Sequence, residues 1–158
     1  MIIISFMFPA AGAALSKPWL GEWRVQWKNT LGEQFAGNSR LSQPWNHAWL
    51  KEELEASDPG LWSGWKGVTL AKFNPRSRTW HYTWHDNRGG YCDFIGQFHN
   101  DTFSLQYVDA KGKPIRQRML IKRATAKSLA WDCERYEAKA CVWRKMWNIG
   151  VIRPYILP

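Results

Sequence analysis

The side chains best suited to proton transfer are two histidines and two acids: His81, His85, Asp86 and Glu134. The histidines alternate with aromatic residues over positions 80–85, a pattern that favours a strand. They are four positions apart, which on a strand corresponds to about 13 Å, too far for one metal ion. A single histidine could act as a general base or a haem ligand. If the protein is an enzyme, we expect His85, Asp86 and Glu134 to move protons; alternatively, both imidazoles simply face solvent.

Motifs for covalent, phosphate or cofactor chemistry do not occur in the sequence. There is no Gly-x-Ser-x-Gly nucleophile motif, and Trp62-Ser63-Gly64-Trp65 lacks its spacing. Neither a P-loop nor a dinucleotide-binding glycine pattern occurs, and no Cys/His cluster has metal-ligand spacing. We therefore expect no metal and no cofactor, and any catalysis would be acid–base chemistry or templating in an apolar pocket.

Tryptophan is the unusual component of the chain, with 12 among 158 residues. Its ring is large, flat and apolar and carries one N–H donor, so it can line a pocket and still bind a polar group. Two-residue alternation assigns six aromatic side chains to the inward face: Trp27, Trp65, Tyr82, Trp84, Tyr107 and Trp131. These six predict a stacking pocket for a flat ligand; the alternative is an interior filled by its own side chains.

Arg118 lies in the middle of a predicted strand between apolar neighbours, where an unpaired charge would be costly to bury. Glu134 on the next strand is its predicted partner in a bidentate ion pair. The alternative is that Arg118 receives a carboxylate or phenolate of a ligand.

Positive charge is concentrated at one end of the chain. Residues 1–110 contain ten Lys and Arg and ten Asp and Glu, so the whole net charge of +9 lies in residues 111–158. Such a region can serve an anionic ligand, nucleic acid or an anionic membrane, or simply form a solvated face. Single-stranded nucleic-acid binding needs exposed Trp interleaved with Lys and Arg. The alternation puts them on opposite faces, as at Trp23 and Arg24, so a nucleic-acid partner is disfavoured.

Residues 1–15 carry no charged side chain: an apolar run is followed by Pro9 and small residues. This layout predicts a secretory signal peptide, although no Lys or Arg precedes the run. The protein would then be periplasmic or secreted. The alternatives are a mis-assigned start or an apolar arm packed on the domain, with a cytoplasmic protein. The run is too short to span a bilayer, so no transmembrane segment is expected.

Cys133 and Cys141 are eight residues apart on either side of Glu137. If residues 135–139 form the end of a hairpin, the two cysteines face each other, as do Trp131 and Trp143. Opposed residues in an antiparallel pair are close enough for a disulfide in an exported protein. The alternative is two small buried thiols.

The elements that must position these residues are strands, because alternation with a period of two dominates the chain. Turn residues separate runs spaced by about ten to twelve residues. Ten strands are predicted, near residues 20–28, 34–43, 46–55, 64–74, 79–86, 90–98, 102–109, 114–124, 128–137 and 141–152. The third also suits a helix by propensity, and a short helix is predicted around Pro18. Closure of this antiparallel meander into a barrel of about eight to ten strands would remove the sheet edges and leave room for one small ligand.

Several motifs, each weak alone, follow one another along the chain. They are Leu20-Gly21-x-Trp23, Phe73-Asn74-Pro75, Trp80-x-x-x-Trp84-x-Asp86-x-x-Gly89, Gly96-x-Phe98, Lys111-Gly112-Lys113, Arg118, Ser128-x-x-Trp131-x-x-Glu134 and Trp143. In order and spacing, residues 19–153 resemble a family of small lipocalin-like, calycin-type β-barrel proteins, mostly bacterial and mostly of unassigned function. The family usually has an acidic, Gly-rich turn before the last Trp, and residues 136–140 depart from it. The resemblance implies a barrel with a central cavity and transfers no catalytic residues.

Taken together, the sequence predicts a single all-β domain over residues 16–158 that binds a small hydrophobic ligand, aromatic and in one version anionic, inside a Trp-lined barrel. One alternative is a cofactor-independent cyclase, isomerase or lyase acting on a hydrophobic molecule in the same cavity. Another is single-stranded nucleic-acid binding through the basic C-terminal third. The sequence does not specify an oligomeric state.

Overall fold

The computed structural model describes residues 20–28, 31–44, 49–60, 62–99, 102–124 and 127–152. The predicted signal peptide and the helix predicted around Pro18 lie outside these residues. Ten strands make up the fold: β1 (Gly21–Lys28), β2 (Gln34–Ser42), β3 (Trp49–Ala56), β4 (Lys66–Asn74), β5 (Thr79–Asp86), β6 (Tyr91–His99), β7 (Thr102–Val108), β8 (Pro114–Ala124), β9 (Ser128–Glu137) and β10 (Val142–Ile152).

The ten strands form a closed antiparallel barrel in which each strand pairs with its neighbours in sequence and β1 also pairs with β10. The predicted all-β meander barrel is confirmed, and every predicted strand end falls within three residues of the observed one. The segment that also suited a helix is strand β3. Within the described ranges, no helix reaches the length and apolarity that a membrane crossing requires.

Alternation along each strand separates the core from the outer surface. In β1, Trp23, Val25 and Trp27 are buried, whereas Arg24 and Gln26 between them are exposed. The pleat turns successive side chains to opposite faces, so a strict apolar–polar sequence places every second residue in the barrel interior.

The barrel has two ends. We call the upper end the one reached by the connections after β1, β3, β5, β7 and β9, and the lower end the one where β1 begins.

Two glycines make room for large rings on neighbouring strands. A Cβ atom on Gly67 would lie 2.0 Å from Cη2 of Trp84, and one on Gly96 would lie 2.4 Å from Cζ of Phe103. Such distances are far inside van der Waals contact, so only glycine lets the aromatic ring approach the neighbouring strand this closely.

The register of the last hairpin differs from the prediction. Cys133 lies opposite Trp147, not opposite Cys141, and Trp143 lies opposite Tyr136. The physical reason is the position of the turn. The strand continues to Glu137, and the turn follows that residue instead of being centred on it. A bulge between Lys145 and Trp147 shifts the pairing again. The predicted pairing of Cys133 with Cys141 is therefore wrong.

Candidate functional site

The six aromatic residues assigned to the inward face are all buried in the structure. None of Trp27, Trp65, Tyr82, Trp84, Tyr107 and Trp131 exposes more than 6% of its surface. Their inward placement is confirmed, while contact with a ligand stays a prediction. Burial of this degree suits both alternatives raised by the sequence, an aromatic pocket and an interior filled by its own side chains.

Five aromatic rings gather at the upper end of the barrel. Trp27 stacks on Phe35 with ring centroids 5.9 Å apart. Trp62, in the connection between β3 and β4, lies edge-on to Trp65 at 5.2 Å, and Trp65 lies 5.5 Å from Trp84. Trp65 also lies 6.1 Å from Trp27, which joins the rings into one cluster. We refer to Trp27, Phe35, Trp62, Trp65 and Trp84 as the upper aromatic cluster.

Two indoles of this cluster share one acceptor, Asp86. Trp84 Nε1 donates to Asp86 Oδ2 at 3.3 Å, and the indole of Trp65 also donates to this carboxylate. The backbone N–H groups of Arg88 and Gly90 donate to Asp86 Oδ1 at 2.9 and 2.8 Å. Burial alone would raise the pKa of Asp86, but these four hydrogen bonds favour the charged form, and the pKa falls below its usual value. Asp86 therefore holds the cluster and the β5–β6 turn together as an anion.

Three other indoles in the described part of the chain have no such acceptor. The Nε1 atoms of Trp27, Trp62 and Trp131 are buried and make no hydrogen bond. Trp27 and Trp131 both pair with Ile149, so they lie in one row across three adjacent strands, about 10 Å apart by strand spacing. A buried donor without a partner is costly, and most native structures avoid one. Trp27 and Trp131 therefore place two unsatisfied donors in one row of the barrel wall.

Polar side chains line another part of the barrel wall at the upper end. Tyr107 is hydrogen-bonded to Gln117 and Cys133, and Gln117 Nε2 lies 3.8 Å from Cys133 Sγ. Burial raises the pKa of Tyr107 well above its usual value. Arg135 follows Trp131 and Cys133 on the inward series of β9 and is exposed near the strand end. The sequence analysis missed Arg135, although the same alternation assigns it to the inward face.

Arg118, predicted as a pair of Glu134 or as a ligand contact, lies on the outer face. The inward residue of this part of β8 is its neighbour Met119, which is buried opposite Cys133. Arg118 Nε and Nη2 donate to Glu134 Oε2 at 3.0 and 2.9 Å. The Arg118 guanidinium also lies 3.9 Å from the centroid of Trp143. The ion pair is present, but Arg118 does not reach the barrel interior.

The three residues suggested for acid–base catalysis are not brought together. His85 is exposed on the outer face of β5, with its ring 4.9 Å from Tyr91. Asp86 is engaged by four donors at the end of that strand. Glu134 lies on β9, separated from β5 by β6, β7 and β8 around the barrel. These positions give no shared site for proton transfer.

A buried carboxylate that the sequence analysis did not single out lies on the opposite wall. Glu52 exposes only 2% of its surface and accepts from Ser39 Oγ at 2.8 Å and from Thr69 Oγ1 at 3.4 Å. Burial, together with the negative charge of Glu52, raises the pKa of Tyr82 well above its usual value. The signal was present in β3, where Glu52 alternates with Leu50 and Leu54 and must therefore face inward.

The lower end of the barrel has a cavity of about 350 Å³. Its lining combines inward rings, residues of the β4–β5 turn and one polar residue each from β5 and β6: Phe73, Ser77, Arg78, Thr79, Trp80, Gln97 and Phe103. Two of these rings, Phe73 and Trp80, are in contact with centroids 5.2 Å apart. This cavity lies at the opposite end of the barrel from the unpaired indole of Trp27, so the cavity and the unpaired indole are separate features.

The three cysteines are free thiols in different environments. Cys133 is buried, Cys92 is half-buried and Cys141 is exposed in the last turn. Burial raises the pKa of the Cys92 thiol to about 11 and also raises the pKa of Cys133. Because the thiolate is the reactive species, these two cysteines should react slowly.

A thiol-reactive chromogenic disulfide at pH 8 is therefore expected to modify one thiol of the native protein rapidly and two slowly, with all three reacting in guanidinium chloride. The variant Cys141→Ser should lose the rapid phase and keep both slow ones. A single reactive thiol in the unfolded, unreduced protein would instead show a disulfide, and two rapid native phases would contradict the burial of Cys92 or Cys133.

Comparison with known proteins finds similar solved structures but no matching family. No protein-family model and no curated protein matches the chain. Among solved structures, a de novo designed fluorescence-activating β-barrel is 9% identical, with a TM-score of 0.43, and covers 88% of this chain and 96% of its own. A redesigned β-barrel is 10% identical, with a TM-score of 0.46, and covers 92% of this chain and 99% of its own. The ten-strand closed meander is therefore established by the pairing of its own strands.

Proposed function

We propose that the barrel binds a small, flat and largely apolar molecule at its upper end. The observation that carries this proposal is the pair of buried, unpaired indole N–H groups of Trp27 and Trp131. A ligand oxygen, as a carbonyl, carboxylate or phenolate, would satisfy these donors and recover the cost of burying them unpaired. The upper aromatic cluster supplies the flat apolar surfaces on which such a molecule would stack.

An anionic group on the ligand would be received by Arg135 and not by Arg118. Arg135 lies on the inward series of β9 near the mouth of the barrel, next to the polar pair Tyr107 and Gln117. Within the described residues, no carboxylate lies within ion-pair distance of its guanidinium. A planar guanidinium at this position suits bidentate contact with a carboxylate or sulfonate.

Entry of the ligand requires the cover of the upper end to move. The residues after β3 that carry Trp62 and Trp65 are held by Asn87 Nδ2, which donates to Gly64 O at 2.8 Å, and by Arg88 Nη2, which donates to Ser63 O at 3.1 Å. Both bonds lie on the exposed surface, where water competes for the same groups. We propose that residues 62–64 swing outward and that the ligand takes the space of the Trp62 ring, while Trp65 stays in place through its indole hydrogen bond to Asp86 and through Ala56 N, which donates to Trp65 O at 2.9 Å.

As part of the same proposal, the barrel is lipocalin-like, as the sequence motifs imply. What supports it is the closed antiparallel meander together with the inward aromatic residues that the motifs contain, Trp84 and Trp131. Proteins of this architecture are suited to hold one small ligand inside the barrel.

The test uses two aromatic probes that differ in one charge, 1-anilinonaphthalene-8-sulfonate and the neutral N-phenyl-1-naphthylamine. We expect each to bind once per chain, with quenching of Trp fluorescence. Trp131→Phe and Trp27→Phe should each weaken the sulfonate probe about fivefold to tenfold, since one hydrogen bond is worth about 1 kcal/mol. Arg135→Gln should weaken the sulfonate probe but leave the neutral one unchanged.

Trp49→Phe is the control, because Trp49 lies at the start of β3 under Lys72 Nζ, 5.0 Å from its ring centroid, and outside the upper aromatic cluster. It should leave the affinity of both probes unchanged. Failure of both probes to bind at saturating concentration, or equal losses in Trp49→Phe and Trp131→Phe, would remove the proposed pocket and leave an interior filled by its own side chains.

A further inference from the structure

Cations gather at one corner of the upper end. The turn between β7 and β8 and the turn between β9 and β10 reach this end side by side, because β8, β9 and β10 are adjacent. Six cations and two carboxylates lie in these turns and in the strand residues next to them. This basic corner consists of Lys111, Lys113, Arg116, Arg135, Lys139 and Arg144, with Asp109 and Glu137 as its acids.

Both acids of the basic corner are engaged locally. Asp109 Oδ1 accepts from the backbone N–H groups of Lys111 and Lys113, each at 2.9 Å. Glu137 pairs with Arg144. The ammonium groups of Lys111, Lys113 and Lys139 make no ion pair with any residue in the described ranges. The corner therefore presents a net positive field to whatever approaches this end of the barrel.

Exposed aliphatic side chains lie among these cations. Ile115 at the start of β8 and Val142 at the start of β10 each expose 43% of their surface. Leu31 exposes 82% and lies outside the basic corner, in the β1–β2 turn at the same end of the barrel. Exposed apolar side chains beside a basic surface match the boundary between anionic headgroups and acyl chains. They add nothing to the binding of a phosphate backbone, which is recognised by charge, hydrogen bonds and stacking.

The aromatic rings nearest this corner are already covered by arginines. The Arg116 guanidinium lies 5.2 Å from the centroid of Tyr136, and that of Arg118 lies 3.9 Å from the centroid of Trp143. Tyr136 and Trp143 also contact each other edge-on at 5.4 Å. Rings engaged in this way offer little free face for base stacking, so the surface fits a lipid better than a single-stranded nucleic acid.

We propose that the basic corner docks the upper end of the barrel on an anionic lipid surface, with Ile115, Val142 and Leu31 entering the headgroup layer. The inference rests on charge and exposure at the surface and is independent of what the barrel holds inside. Docking in this orientation would turn the mouth of the barrel toward the bilayer, from which an apolar molecule could enter.

Sedimentation with vesicles tests the docking. We expect binding to phosphatidylcholine vesicles containing 30% phosphatidylserine at 50 mM salt, release at 300 mM, and no binding to phosphatidylcholine alone. The triple variant Lys111→Gln, Lys113→Gln, Lys139→Gln should bind at least tenfold more weakly. Ile115→Ser with Val142→Ser should lower the affinity severalfold and leave its salt dependence unchanged.

The matched control removes the same charge elsewhere: Arg24→Gln, Lys72→Gln and Arg76→Gln, all exposed and on β1, β4 and the β4–β5 turn. It should retain vesicle binding. Equal losses in both triple variants would overturn the assignment to the basic corner. Tighter binding of a 20-nucleotide single-stranded DNA than of the vesicles, lost in the same lysine variant and indifferent to Ile115→Ser, would overturn the lipid in favour of nucleic acid.

Discussion

Replacing Gly67 with Ala is expected to lower the free energy of unfolding by about 3 kcal/mol, the upper range for an overpacked core. The new Cβ atom would lie 2.0 Å from Cη2 and 2.1 Å from Cζ2 of Trp84. Trp84 cannot retreat, because it is fully buried, packs against Trp65 at 5.5 Å and donates its indole N–H to Asp86. Relief would require the whole upper aromatic cluster to shift.

Thermal and urea unfolding measure this effect, and for a chain of this size the midpoint should fall by about 10 °C. Gly150→Ala is the matched control, since Gly150 also lies within a strand but its Cβ would come no closer than 3.9 Å to another atom. That variant should be neutral or slightly stabilising. The double variant Gly67→Ala, Trp84→Leu should recover part of the loss attributed to the clash. Similar stabilities for Gly67→Ala and Gly150→Ala would contradict the close packing of Trp84 on β4.

The fold was predictable because its dominant signal is local. Alternation of apolar and polar residues within each strand indicates which side chains face inward, as at Trp23, Val25 and Trp27. Turn residues indicate where each strand ends. Strand β3 shows the limit of propensity, since its Glu- and Leu-rich segment also suits a helix. Pairing with β2 and β4 on both sides determines its conformation.

Register and environment were less accessible to sequence. The turn after Glu137 and the bulge in β10 each shift the register between β9 and β10, and alternation along one strand does not specify the register with its neighbour. Cys133 therefore lies opposite Trp147. For Arg118 the alternation with Met119 already indicated the outer face, whereas the apolar neighbours and the family motif suggested a buried role. The unpaired indoles of Trp27 and Trp131 depend on distances between side chains of distant strands, which no sequence pattern specifies.

For the carboxylates Glu52 and Asp86, too, the sequence indicates the position and only the fold shows the partners. Alternation assigns Glu52 to the interior, but only the fold shows that Ser39 and Thr69 from the flanking strands donate to it. Asp86 could be recognised from sequence as a turn residue that accepts backbone N–H groups. That it also holds two indoles follows from the closure of the barrel, which brings Trp65 and Trp84 to the same end.

Asp86→Asn is expected to lower the free energy of unfolding at pH 7 by about 2 kcal/mol, because hydrogen bonds to a charged acceptor are worth about 1.5–3 kcal/mol. The amide NH₂ would also face a site that contains only donors. Since the pKa of Asp86 is lower in the folded chain than its usual 3.8, its contribution is fully present above about pH 4 and is lost as the pH falls through the folded value. The gap between the parent protein and Asp86→Asn should therefore narrow only in acid.

Asp109 provides the comparison that separates the turn from the indoles. Its carboxylate accepts backbone N–H groups two and four residues onward, as the Asp86 carboxylate does, and the turn at Asp109 is exposed. Urea unfolding of Asp109→Asn between pH 2.5 and 7 should show a loss below about 1 kcal/mol. Because the two turns use the same backbone pattern, the excess loss in Asp86→Asn measures what Trp65 and Trp84 add. Equal losses would mean that the hydrogen bonds from Trp65 and Trp84 to Asp86 add nothing to stability. In that case an indole without an acceptor would carry no cost, and the unpaired indoles of Trp27 and Trp131 would no longer support a ligand.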